Sequence, residues 1–104
     1  MRRPLCLILL LMPAAAFAAD AAHTIVQKGR MFRPSEITIA KGESLTFTNE
    51  DDFIHQIYVQ ARGFGFDSEE KNPGEDITET FTATGTFAVR CHIHPKMKLL
   101  VHVK

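Results

Sequence analysis

The chain has 104 residues, and its 12 lysines and arginines are balanced by 12 aspartates and glutamates. This length accommodates one small domain, and a balanced charge without a basic block argues against a nucleic-acid partner. A domain of this size buries only about 60–65% of its unfolded surface, so it is marginally stable unless something reinforces it.

The N-terminal segment has the features of a secretory signal peptide. Arg2 and Arg3 precede an apolar run from Leu5 to Met12, and Ala16-Phe17-Ala18 offers a small-x-small cleavage site. The alternative is a membrane anchor, but the uncharged stretch is shorter than the roughly 20 residues that a spanning helix needs. We therefore expect residues 1–18 to be removed, residues 19–104 to form one periplasmic domain, and no stable membrane insertion.

Apolar residues in the rest of the chain alternate with polar ones, which is typical of half-buried strands. Turn residues such as Gly42, Gly74 and Gly85 separate the alternating runs. The pattern predicts strands near residues 23–28, 35–40, 44–49, 54–60, 76–82, 86–91 and 98–103. Seven or eight short strands favour an all-β fold, a Greek-key antiparallel β-sandwich. The least regular segment is 62–75, where we expect a short turn of helix or a mobile loop.

Cysteine usage is the next informative feature. Cys6 would leave with the signal peptide, so Cys91 would be the single thiol of an exported domain, where cysteines normally pair. A metal bond would protect this thiol and stabilise a small core. A buried inert cysteine and an intermolecular disulfide are the alternatives.

A thiolate, an imidazole and a thioether follow one another at three-residue intervals: Cys91, His94 and Met97. Cys91 follows Phe87 and Val89 in an alternating run, so its sulfur is expected to point into one end of the sandwich. His55, just after the turn at residues 49–52, could reach the same end. One Cys, two His and a weak axial Met are the donors of a mononuclear blue-copper centre. Zinc could use the same Cys and His side chains but gains little from a thioether.

The remaining histidines are weaker candidates. His92 is adjacent to Cys91, so alternation turns it to the opposite, solvent-facing side of the strand. His102 alternates outward between two valines, and His23 has no partner in the sequence pattern that would support an N-terminal copper site.

These residues resemble those of the cupredoxins, specifically the small plastocyanin- and amicyanin-like blue copper proteins of bacteria. Three segments are similar to the family pattern: Met31-Phe32-Arg33-Pro34 with Ile37-Thr38-Ile39 and Gly42; Phe47-Thr48-Asn49-Glu50-Asp51 with His55; and Gly85-Thr86-Phe87 with Cys91, His94-Pro95 and Met97. The resemblance assigns His55, Cys91, His94 and Met97 as the ligands of one copper ion. It departs from the family at Ile54, where proline is common, and at Gln56, where an asparagine often ties the two ligand loops together.

The function implied is that of a diffusible one-electron carrier cycling between Cu(I) and Cu(II), and not an enzyme. Four protein donors leave no open position for a substrate, unlike catalytic metal sites. We expect outer-sphere transfer through the ring edge of His94, with a docking patch formed by Pro95, Leu99 or Leu100, and Met31-Phe32. The expected partners of this monomer are transient redox proteins, such as a cytochrome or a periplasmic oxidoreductase.

Three other functions are alternatives to electron transfer. A copper chaperone or buffer would transfer the ion and not the electron, and would favour exposed, exchangeable donors, whereas the four donors here are expected to point into the core. A binuclear copper enzyme centre would need a second cysteine, and we discount it because the loop has only Cys91. A fold of this type used only for binding would hold no metal.

Overall fold

The computed structural model describes residues 23–104, and every helix or strand assigned in that range is a β-strand. The strands are β1 (His23–Lys28), β2 (Met31–Arg33), β3 (Glu36–Ile39), β4 (Ser44–Asn49), β5 (Tyr58–Ala61), β6 (Phe64–Asp67), β7 (Asp76–Thr80), β8 (Gly85–Arg90) and β9 (Lys98–Val103). The predicted signal peptide lies outside the described residues. Within residues 23–104 there is no helix with the length and apolar character needed to cross a membrane.

The strands form two sheets that pack face to face, which confirms the predicted all-β sandwich. One sheet has the order β2-β1-β4-β7 and the other β3-β9-β8-β5-β6. The sheets are mixed and not purely antiparallel, because β1 pairs with β4 and β3 with β9 in parallel. Parallel neighbours require a crossover connection. Here the chain forms strands of the opposite sheet after one paired strand and before the other.

The core lies between the sheets and follows the alternation read from the sequence. In β4, Leu45, Phe47 and Asn49 point inward, and in β8 Phe87 and Val89 do so, followed by Cys91. Burying one large apolar side chain stabilises a fold by roughly 1.5–3 kcal/mol. The inward residues of the two sheets therefore form one apolar core, and those of β8 also direct the sulfur of Cys91 into the sandwich.

The prediction of a helical turn or a mobile loop for residues 62–75 was wrong for residues 64–67, which form a strand. Residues Phe64–Asp67 form β6, an antiparallel partner of β5, after a turn at Gly63 with φ 77°. Gly65 hides the strand signal, because glycine is unfavourable in strands. A Cβ at this position would lie 2.9 Å from the carbonyl oxygen of Val59. Glycine is therefore required for the close approach of β6 to β5.

The predicted strand at 54–60 begins later, at Tyr58. Before it, His55 makes only an isolated two-way bridge with Lys71, with N···O distances of 3.0 and 2.7 Å. The amide of Ile57 is satisfied by the side-chain oxygen of Ser68 at 2.9 Å. Side chains thus replace ladder hydrogen bonds here, and the segment becomes a loop that bends over one end of the sandwich.

Four phenylalanines gather towards the other end, which we call the aromatic end: Phe64, Phe66, Phe81 and Phe87. The Phe81 ring centroid lies 5.2 Å from that of Phe64, 5.8 Å from that of Phe66 and 6.2 Å from that of Phe87. Such aromatic pairs add about 0.5–1.5 kcal/mol each beyond the burial of their area. The core at the aromatic end is consequently closed by the packing of these rings.

Candidate metal centre

The loop between β8 and β9 brings Cys91 and Met97 into the core at the end opposite the aromatic one, which we call the ligand end. Cys91 directly follows β8 and Met97 directly precedes β9, and both are at most 2% exposed. The turn between them is closed by the Met97 amide, which donates to the carbonyl of His94 at 2.9 Å. A thiol and a thioether are thus buried on the two sides of one tight turn.

His55 reaches the same end from the loop before β5. Its side chain is fully buried, and Nδ1 lies 3.9 Å from Sγ of Cys91. Two donors bonded to one ion at about 2.0 and 2.3 Å are separated by roughly 3.5–3.9 Å at angles of about 110–130°. The observed separation therefore fits an ion shared by the nitrogen and the sulfur.

His94 lies beside His55, with 5.2 Å between their ring centroids, and both rings pack against Phe53 at 4.9–5.2 Å. Burial is the main cause that lowers the pKa of His94, and repulsion from His55 and Arg30 adds to it, outweighing Asp51. Its Nε2 is buried without a hydrogen-bond partner among the described residues. A neutral ring with an unsatisfied buried nitrogen is suited to bind a metal.

These donors suit copper, although the set is only partly preassembled. In the described part of the chain, no three histidine, cysteine or carboxylate side chains already form a closed metal-binding cluster. His55 and Cys91 face each other, His94 is adjacent, and Met97 adds a thioether from the loop. Soft sulfur combined with imidazole is the donor chemistry that copper prefers. The residues present therefore fit the predicted ion.

Asp51 is a feature of the site that sequence reasoning missed. Its carboxylate is buried behind His55, with Oδ2 2.6 Å from Nε2 of the ring. Burial raises the pKa of Asp51, but hydrogen bonds from His55, Gly29 and Arg30 outweigh it and hold the pKa below its usual value. In the sequence, Asp51 is only one of several polar residues in a turn, and no local pattern reveals these partners.

Gln56 does not act as the inter-loop tether that asparagine provides in the family pattern. Its side-chain amide donates to the carbonyl of Ser68 at 2.8 Å and to Asp67 at 3.2 Å. Instead, Asn49 fastens the His55 loop by donating to the carbonyls of Phe53 and Lys71, both at 2.9 Å. With glutamine at position 56, the side-chain hydrogen bonds of this residue go to the end of β6 and not to the other ligand loop.

His92 faces solvent, as alternation predicts. Its ring stacks on Tyr58 with centroids 3.7 Å apart and planes 9° from parallel, and Nε2 lies 3.4 Å from Asp67. The other two histidines pair with carboxylates outside the ligand end. His102 contacts Glu36 at 2.5 Å, and His23 contacts Glu43 at 3.0 Å.

The composition of the surface around His94 differs from that of the predicted docking patch. Met31 and Pro95 are exposed, whereas Phe32 and Leu99 are core residues at 2% and 0% exposure. Leu99 belongs to the inward set of β9, and Phe32 packs edge-on against Phe47. These two residues are therefore removed from the patch.

Ile54 and Ile93, which were not part of the predicted docking patch, are exposed at the ligand end. Together with Arg30, Phe53 and His94 they line a shallow depression, and Glu70 completes its wall. We call this depression the His94 patch.

Comparison with known proteins points to copper binding. Residues 20–104 match the family described as copper binding proteins, plastocyanin/azurin family. The chain is 32% identical over 91 residues to chloroplastic plastocyanin of Tetradesmus obliquus, covering 76% of this chain and 63% of that one. It is also 32% identical over 94 residues to the plastocyanin of Physcomitrium patens, covering 82% and 56%. The chain thus spans little more than half the length of these relatives.

Solved structures show the same fold. A Cu(I) form of an amicyanin variant superposes with a TM-score of 0.75 at 24% identity, covering 88% of this chain and 90% of that one. A copper-containing nitrite reductase from Thermus scotoductus SA-01 gives 0.73 at 29% identity, covering 80% of this chain but only 22% of the reductase. Two predictions are thereby confirmed by the family match: the resemblance to the cupredoxins, and copper as the cofactor. The chain belongs to the plastocyanin/azurin family of copper-binding proteins.

Proposed function

We propose that this protein is a periplasmic type 1 copper protein that carries single electrons between other redox proteins. His55, Cys91, His94 and Met97 would hold the ion. The observation that carries the proposal is the 3.9 Å separation of His55 Nδ1 and Cys91 Sγ inside a buried site. Copper would supply the one-electron cycle between Cu(I) and Cu(II).

The protein residues would keep the site fixed and dry. Three of the four donors are at most 2% exposed, so water has little access to them. Loops anchored by Asn49 and by the His94–Met97 turn hold these donors at one end of the sandwich. Four protein ligands would leave no position for a substrate, which favours electron transfer over catalysis. The similarity to nitrite reductase spans too little of that enzyme to suggest its reaction here.

His94 is the proposed point of electron entry and exit. It is half-buried, in contrast to the other three donors, and it lines the His94 patch. A small patch that combines exposed isoleucines with the charged side chains of Arg30 and Glu70 suits brief contacts with redox partners such as a cytochrome or a periplasmic oxidoreductase, because such interfaces are small and transient. The proposed carrier is a monomer, and its export would depend on the signal peptide predicted for residues 1–18.

The first test separates electron transfer from copper delivery. The reduced copper protein is oxidised with hexacyanoferrate in a stopped-flow instrument, and copper loss to a Cu(I) chelator is followed in parallel. An electron carrier should exchange electrons orders of magnitude faster than it loses the ion, over repeated cycles. Copper loss that keeps pace with oxidation would instead favour the chaperone or buffer.

A second test locates the surface used. Ile93→Lys adds a positive charge beside His94, and Gln60→Lys adds the same charge at an exposed position of β5. Since hexacyanoferrate is an anion, Ile93→Lys should accelerate its reaction severalfold at low salt, and Gln60→Lys much less. Equal effects of the two variants would argue against entry at the His94 patch.

A further inference from the structure

We propose that Asp51 is a positioning residue of the copper site. Its carboxylate would fix which nitrogen of His55 faces Cys91 and would lower the reduction potential of the bound ion. The inference rests on the proposed function, because it concerns the hydrogen bond behind one of the proposed ligands. The structural basis is the Asp51 carboxylate, which accepts hydrogen bonds from backbone amides of a turn distant in the sequence.

Both oxygens of Asp51 are occupied, and three donors converge on them. Oδ1 accepts from the amide of Gly29 at 2.6 Å. Oδ2 accepts from the amide of Arg30 at 3.2 Å and from Nε2 of His55 at 2.6 Å. Gly29 and Arg30 have φ values of 64° and 55°. This left-handed turn between β1 and β2 points two successive N–H groups at one anion, as in backbone nests.

The backbone of Asp51 is also fixed, since its amide donates to Oδ1 of Asn49 at 3.0 Å. The side chain is 7% exposed, so little water competes for the hydrogen bonds. An anion in this position must be satisfied by donors, because a buried charge without partners is costly. The three contacts meet that requirement and hold the carboxylate in one orientation.

This geometry determines the state of His55. An ionised carboxylate can only accept hydrogen bonds, so Nε2 must carry a hydrogen. In a neutral ring, Nδ1 then holds the lone pair, and Nδ1 is the atom that lies 3.9 Å from Sγ of Cys91. Asp51 thus presents the correct nitrogen to the ion before any ion is bound.

The same contact should affect the redox equilibrium. A carboxylate that accepts from a metal-bound histidine makes the ring a stronger donor. Its negative charge is partly shielded from water and interacts more strongly with Cu(II) than with Cu(I). Asp51 should therefore stabilise the oxidised form and lower the reduction potential.

Asp51→Asn is the informative variant, because an amide cannot reproduce the contacts. Whichever way the amide is oriented, its NH2 group meets either Gly29 N–H or the donors of Arg30 and His55. Asp52→Asn is the matched control, since it removes the same charge from the exposed neighbouring residue. Both variants are compared with the wild type as copper-loaded protein.

We expect Asp51→Asn to lose about 10–100-fold in Cu(II) affinity, the range typical when the hydrogen-bond partner of a ligand is removed. Cu(I) affinity should fall less, and the reduction potential should rise by about 59 mV for each tenfold difference between the two losses. Asp52→Asn should leave the potential near that of the wild type. Equal potentials in the two variants would overturn the proposal, even if Asp51→Asn unfolds more easily.

A measurement on the wild type remains decisive if Asp51→Asn fails to fold. In the metal-free protein, where no ion fixes the tautomer, nitrogen-15 NMR should show His55 protonated at Nε2, with a low-field, slowly exchanging proton. Protonation at Nδ1, or a rapidly exchanging Nε2 proton, would contradict the proposal. If the wild type binds Cu(II) without an intense thiolate band, the proposed function fails first, and the role of Asp51 fails with it.

Discussion

The two ends of the sandwich use different means to close the same core. At the aromatic end, Phe64, Phe81 and Phe87 pack with ring centroids 5.1–6.2 Å apart and leave no polar group to satisfy among themselves. At the ligand end, His55 and Asn49 are as deeply buried as the phenylalanines. There the core contains polar atoms that depend on specific partners.

A histidine–carboxylate pair at each end makes the contrast concrete. His23 and Glu43 lie 3.0 Å apart near the aromatic end, with side chains 31% and 24% exposed. His55 and Asp51 lie 2.6 Å apart at the ligand end, with side chains 0% and 7% exposed. Exposed pairs contribute little because water and salt compete with them, whereas breaking a buried pair is costly. The same kind of pair is therefore a weak surface contact near the aromatic end and part of the buried polar network at the ligand end.

The largest effect on stability is expected from the aromatic end. Phe81→Ala should lower the free energy of unfolding of the apoprotein by about 3–5 kcal/mol, because a fully buried ring leaves a cavity. The visible spectrum of copper-loaded protein that remains folded should be unchanged. Chemical denaturation and absorption spectroscopy measure the two quantities.

Phe81→Leu serves as the control, since it retains most of the apolar volume and should cost less than Phe81→Ala. A shift of the copper absorption band in either variant would show that the two ends are coupled and do not act separately.

An intermediate loss of stability is expected from Met97→Leu. This exchange nearly conserves volume, so the apoprotein should lose less than about 1.5 kcal/mol. The reduction potential should rise, because leucine offers no lone pair to Cu(II) and the axial ligand tunes the potential of such sites. Leu99→Met makes the reverse exchange two residues away, at another buried position. Identical potentials in both variants would show that Met97 is only a core residue.

The smallest effect is expected from Glu43→Gln. The Ala40 amide at 2.7 Å, followed by the side chain of His23, lowers the pKa of Glu43 from its ordinary value of 4.5. A lowered carboxylate pKa adds stability above the unfolded value, and this stability is lost as the pH falls through the folded value. The melting temperature of the variant should be slightly below that of the wild type at pH 7, and the difference should shrink below pH 4.5.

Glu69→Gln removes the same charge from an exposed side chain of the loop after β6 and serves as the control. If its melting temperature follows the same pH dependence as that of Glu43→Gln, the Ala40 and His23 contacts are not the cause.

Much of the fold could be predicted because strand periodicity is a local signal. β1, β4 and β9 begin and end where the alternation predicts. Parallel pairing of β1 with β4 could not be predicted, since it depends on how the chain crosses between sheets. β6 was missed because Gly65 is present for a close approach to Val59, which lies on another strand.

The candidate site divides in the same way. Cys91, His94 and Met97 are detectable because they occupy one loop with regular spacing, and His55 because few other histidines remain. Asp51 was not detectable, because its role depends on a turn 21 and 22 residues away in the sequence. The alternation of β9 indicates that Leu99 is buried, so placing Leu99 in a surface docking patch was wrong.

The most direct test of the copper site is titration of the apoprotein with Cu(II), followed by visible and EPR spectroscopy, beside Cys91→Ser. The wild type should bind one equivalent and develop an intense thiolate-to-copper band, and the serine variant should lack this band. Retention of the band in Cys91→Ser, or copper uptake by the wild type without it, would contradict a site built on Cys91 and His55.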